Sequence, residues 1–168
     1  MAPPIHLPFD VNDEHLRKHF FRTHATDALG GLSISSRARW GGMIAQQMVE
    51  HLVWALEIAN GLVEVKCDVH PKLVARLREF LFNNTPTSHD FMNPLLKKGL
   101  PPDRFSGIPE ARSELRRQVD LFLGEPESEW TKLRTHPVFG QLDHEEWERS
   151  QYKHFFHHLL QFSLIEER

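Results

Sequence analysis

Two stretches of this chain repeat apolar residues at helical spacing, and each sets histidine in the middle of its apolar stripe. At about 100° per residue, Trp147, His154 and His158 fall within about 20° of one line over residues 143–162. Ile165 would join them if that helix ran so far. Phe155, Leu159 and Phe162 widen the apolar face on one side, and Glu146, Ser150, Lys153 and His157 form a polar flank. Over residues 42–60, Ile44, Gln47, Met48, Ala55 and Ile58 lie within about 60° of His51. Gln46, Glu50 and Glu57 lie on the far side. A chain so patterned must build two long helices and bury imidazole between them.

Buried imidazole needs partners for its nitrogens, because an unsatisfied buried polar group costs roughly 1–3 kcal/mol. Metal coordination satisfies one nitrogen, and a hydrogen bond behind the ring satisfies the other. Three neutral imidazoles from two helices can hold one divalent ion and leave a position open, which is the pattern of a catalytic site rather than a structural one. His51, His154 and His158 are therefore the expected metal ligands. Gln47 and Gln161 lie about one turn from ligands and are candidates to orient a ligand, a water or a substrate. Met48 and Trp54 are candidate pocket residues. His136 and Glu50 are the available fourth ligands, and His136 alternatively packs or caps a tight turn. Zn²⁺, Ni²⁺, Fe²⁺ and Mn²⁺ all accept imidazole, with zinc or nickel expected before iron or manganese.

The other histidines lack this setting. His15 and His19 share the four-residue spacing, but Lys18, Arg22 and Thr23 flank them, which predicts a solvated edge. His6, His70, His89 and His144 fall in arms, turns or helix starts. His144-Glu145-Glu146-Trp147 is not a zinc-protease signature, since position 148 is not histidine. No nucleophile elbow, phosphate loop or pair of Glu-x-x-His motifs occurs.

The remaining pattern is helical as well. Residues 1–12 are proline-rich and read as an N-terminal arm with little structure, followed by a single domain over 13–168. Helices are expected over 13–28, 42–60, 71–82, 109–124 and 143–162, with a short one over 126–134. Asn60-Gly61 is a C-cap pair, and Asp143 with Glu146 makes a capping-box start. Residues 83–108 carry turn chemistry and form a long crossover loop, a kind of connection that is often functional. His136-Pro137-Val138-Phe139-Gly140 reads as a turn. With almost no alternating apolar pattern, strands are not expected. The expected fold is all-α: a four-helix bundle with additional short helices and the crossover loop.

Composition narrows the function classes. The 168 residues carry a net charge of -3, so no basic field recruits nucleic acid or anionic lipid. No apolar run reaches the roughly 18 residues of a membrane span. The N-terminal Met1–Pro8 lacks a basic stretch followed by a long apolar one, so no signal peptide is expected. Cys67 is the single cysteine, which excludes a disulfide framework and a thiolate zinc knuckle and fits a reducing cytoplasm.

Two stretches also carry a family likeness. One is Arg39-Trp40-Gly41-Gly42-Met43 with Gln46-Gln47-Met48-Val49-Glu50-His51. The other runs from His136-Pro137-Val138-Phe139-Gly140, through Glu146-Trp147, to His154-Phe155-Phe156-His157-His158-Leu159-Leu160-Gln161-Phe162. Together they resemble an uncharacterised branch of the DinB/YfiT-like metalloenzyme superfamily. The resemblance implies a four-helix bundle with one histidine on the second core helix and a His-x-x-x-His pair on the last. By position those are His51, His154 and His158. Many members continue the last ligand as His-Arg-Gly-Gln; here Leu159 and Leu160 stand in place of Arg and Gly. Characterised relatives include thiol-dependent S-transferases and isomerases, and homodimers are common among them.

The expected activity is thus metal-dependent chemistry on a small-molecule substrate, with water or a low-molecular-weight thiol as nucleophile, of hydrolase or thiol S-transferase type. The competing expectation is a non-catalytic, metal-stabilised bundle that serves as a binding or dimerisation module.

Overall fold

A computed structural model describes residues 3–124, 130 and 132–168. Among the described residues five α-helices order the chain: α1 (Glu14–His19), α2 (Ala45–Ala59), α3 (Pro71–Arg78), α4 (Ile108–Gly124) and α5 (His144–Gln161). α2 packs against both α4 and α5. Leu52, Leu56, Leu115, Phe122, Phe155 and Leu159 are all fully buried in the common core.

The helix ends follow their local chemistry. Asp143 accepts from Glu146 N at 2.9 Å while Glu146 accepts from Asp143 N at 3.1 Å, so α5 opens on the expected capping box. α2 closes on Asn60-Gly61: Gly61 takes φ +74°, Gly61 N donates to Ile58 O and Leu62 N to Glu57 O. That is a Schellman cap. α5 closes in the same way without glycine. Ser163 takes φ 55°, its N donates to Leu160 O, and Leu164 N donates to Leu159 O. This cap turns the chain out of the helix, so Ile165 never reaches the histidine stripe.

The expectation of an all-α four-helix bundle is overturned. Two small two-stranded sheets accompany the helices, and the fold is mixed α and β. β1 (Ile5–Leu7) pairs in parallel with β4 (Ile165–Glu167), in the register Ile5–Ile165. β2 (Arg134–His136) and β3 (Gly140–Leu142) form an antiparallel hairpin around Pro137-Val138-Phe139, with Gly140 at φ +72°. Each strand has three residues. That length is too short for a period-two pattern to stand out, and the pairing partners of β1 lie at the other end of the chain. The arm expected at residues 1–12 is correspondingly held at Ile5–Leu7.

Three further expectations shift. The first helix stops at His19, continues as one wide turn over Phe20–His24, and ends in a short 3₁₀ turn at Ala28–Gly31. α3 gives way to a 3₁₀ turn at Glu79–Phe82. The short helix expected over 126–134 falls mostly outside the described residues, and Arg134 itself lies in β2. Residues 83–107 hold no α-helix, only a 3₁₀ turn at Pro94–Leu96.

An ion pair fixes the start of the chain on α5. Arg17 is fully enclosed; its Nε donates to Glu148 Oε1 at 2.7 Å and its Nη1 to Val11 O at 2.7 Å.

Candidate metal centre

α2 and α5 bring His51, His154 and His158 together. His154 Nε2 lies 2.9 Å from His51 Nε2 and 3.1 Å from His158 Nε2. The ligand atoms of the three all lie within 4.8 Å of one another, and the group could hold a metal ion. His51 and His158 are buried, and His154 is half-buried. Burial holds all three below the ordinary histidine range: His51 falls to about 4, and His154 and His158 lie well below their usual value, each with the neighbouring histidines adding to the effect. The rings are therefore neutral at pH 7, the state in which imidazole binds metal.

Hydrogen bonding fixes one tautomer. Gln161 Nε2 donates to Trp40 O at 2.8 Å, which turns Gln161 Oε1 towards His158 Nδ1, also at 2.8 Å. Since a carboxamide oxygen only accepts, His158 Nδ1 must carry the proton, and its Nε2 presents a bare lone pair to the centre. A proton on His154 Nε2 can serve only one of its two neighbours well. The other contact is then left without a well-aligned hydrogen bond. With all three Nε2 atoms deprotonated, a cation between the rings accepts all three lone pairs, so the donor set fits a divalent metal. His51 Nδ1 is enclosed without a protein partner among the described residues, so the hydrogen bond behind a ligating ring is lacking at His51.

Gly41 makes the Gln161 contact possible. It sits at φ +74°, and a Cβ there would lie 2.9 Å from Gln161 Nε2. Gln161→Leu is expected to weaken metal affinity by about 10–100-fold, since it frees the His158 ring and removes the acceptor that sets its tautomer. Competition against a chromophoric chelator measures this, and unchanged affinity would show that Gln161 does not position His158.

The remaining candidates divide. Gln47 Oε1 accepts from Ile44 N at 3.1 Å, which caps α2, and Gln47 also borders a cavity beside His51. Trp54 is half-buried at the same cavity, its ring centroid 6.4 Å from that of His51. Met48 is fully buried in the core. His136 holds the β2–β3 turn: its Nδ1 accepts from Val138 N and Phe139 N at 3.0 and 3.2 Å, and its Nε2 faces Ser150 Oγ at 3.2 Å. Burial lowers its pKa to about 3. Glu50 accepts from Arg104 N, Phe105 N and Gln46 Nε2. Both candidate fourth ligands are thus occupied elsewhere. Among the described residues no carboxylate or thiol joins the three histidines.

A family described as Protein of unknown function (DUF1569) matches residues 108–164, from α4 to the turn after α5. The match takes in His154, His158 and Gln161 and leaves out His51. No curated protein and no solved structure matches the chain. No described helix is long and apolar enough to cross a membrane.

Sequence reasoning missed the surroundings of the site. Lys153 and His157 were expected on a polar flank, yet the chain beyond α3 covers that side. Lys153 is buried, donates to Thr85 O at 2.7 Å and lies over the Phe80 ring. His157 packs edge-on to Trp40, which stacks on His89 at 3.7 Å between ring centroids. Glu50 and Glu57, placed on the solvent side by periodicity, are buried as well. The only sequence signal for any of this was the Arg39-Trp40-Gly41 run ahead of α2.

Proposed function

We propose that the chain is a metal-dependent enzyme acting on a small molecule, with His51, His154 and His158 as the ligands of one divalent ion and with water or a low-molecular-weight thiol as the nucleophile. The convergence of three neutral Nε2 atoms carries this reading. A divalent cation held there would supply Lewis acidity, drawing water or a thiol towards its anion near neutral pH. His158 would keep its lone pair on the centre through Gln161. His154 is half-buried, whereas His51 and His158 are buried. The lack of a fourth carboxylate or thiolate among the described residues favours an exchangeable position over a closed structural site. The likeness of the histidine-bearing stretches to DinB/YfiT-like metalloenzymes supports the same ligand set and the hydrolase or thiol S-transferase alternatives.

The test is a turnover screen of small esters, amides and thiol acceptors with metal-loaded and chelator-treated protein. Turnover that disappears on chelation and returns with added metal is the expected result. Metal-loaded protein that turns nothing over, yet loses stability on chelation, would make the ion a cross-link in a binding module.

A further inference from the structure

The His51 side of the centre opens on a cavity of about 390 Å³, near the lower end of the range that takes a small ligand. One wall is α2, through His51 and Trp54. The next is the chain just after α2, through Leu62 and Val63. The third is a strap, Leu100-Pro101-Pro102-Asp103-Arg104.

The strap is tied to α2 along its length. Gln46 Nε2 donates to Phe105 O at 2.9 Å, and Arg104 N donates to Glu50 Oε2 at 2.7 Å. The Arg104 guanidinium grips Glu57 with two bonds of 2.7 and 2.8 Å. This fork geometry fixes orientation as well as distance. The two buried carboxylates of α2 thus have their oxygens engaged by the strap, and the wall left for a ligand is apolar. Glu50, Glu57 and Asp103 stand against Arg104, and a divalent ion beside His51 would bring the formal charge of the lining to zero.

We propose that this cavity binds a small aromatic or apolar molecule that bears no net charge, with its body on Trp54 and one end meeting His51. The proposal deepens the metal reading and rests on it for what happens at the His51 end. A flat ring gains area and stacking energy on Trp54. A charged group of either sign would lose its hydration against this apolar wall, whose carboxylates are already engaged. The strap gives the pocket a wall that stays in place before the ligand arrives, so little ordering opposes binding.

Titration of the full-length purified protein with 2-naphthol, 2-naphthylmethylamine and naphthalene-2-sulfonate, followed by calorimetry, tests this. Metal content is measured in the same samples. 2-Naphthol is expected to bind at least tenfold more tightly than either charged probe. Trp54→Ala removes the stacking face and Val63→Phe fills the cavity; each is expected to weaken 2-naphthol at least tenfold. Binding of either charged probe equal to that of 2-naphthol overturns the proposal, as does wild-type affinity in the folded variants. Protein that binds 2-naphthol without retaining metal upholds the cavity and removes the metal centre. Protein that holds metal and binds none of the probes removes the cavity alone.

Discussion

His154→Ala is expected to reduce bound divalent metal from about one ion per chain to near zero, a loss of affinity on the order of 10³-fold or more. His154 has the central nitrogen of the three, within 3.1 Å of both partners. Without it, His51 and His158 remain as two ligands on different helices, and neither gains a replacement, because Glu50 and His136 are already engaged. His51→Ala should behave similarly. His157→Ala is the control: the same residue type, next to a ligand and half-buried, but packed against Trp40. Elemental analysis of the purified variants, with circular dichroism to verify folding, reads the outcome. Stoichiometry that survives both His51→Ala and His154→Ala ends the metal proposal. The apo variants should not be strongly destabilised, because removing one ring also removes a contact that cannot be well hydrogen-bonded.

Glu148→Gln is expected to cost about 3–5 kcal/mol of stability, the usual penalty for leaving one partner of a buried ion pair uncompensated. Arg17 is fully enclosed and Glu148 is 2% exposed. The neutral amide keeps the shape but withdraws the charge that faces Arg17 Nε. Glu145 is a poor substitute: its Oε1 lies 3.6 Å from Arg17 Nη2, and half of it is in solvent. For a chain of this size the loss lowers the melting temperature by about 10 °C. Arg17→Met with Glu148→Leu should recover most of it, since an apolar pair carries no desolvation cost. Urea unfolding of the single and double variants checks both parts. A single-variant loss below about 1 kcal/mol would show that the pair does not bind the start of the chain to α5.

The histidine triad was legible because it obeys a local rule. Helical spacing alone puts His154 above His158 on one face, and it sets His51 in the middle of another. Two buried stripes in one small domain must then meet. The caps were legible for the same reason: Asp143 with Glu146, and Asn60 with Gly61, act within a single turn. The sheets were not, because three residues of strand carry no period and Ile5 finds Ile165 only once the helices have packed. The burial of Glu50 and Glu57 was hidden too. Their partner Arg104 lies 54 and 47 residues away in a segment of turn residues, so periodicity counted them as solvated.

By itself the sequence determined the long helices, their ends, and which imidazoles face inward, since these depend on contacts within a few residues. Tertiary structure decided which nitrogen of His158 is free, what covers the polar flank of α5, and that a strap walls a cavity beside His51. Each of these rests on one side chain meeting another element, and an ion pair or hydrogen bond between distant segments leaves no periodic trace in either of them.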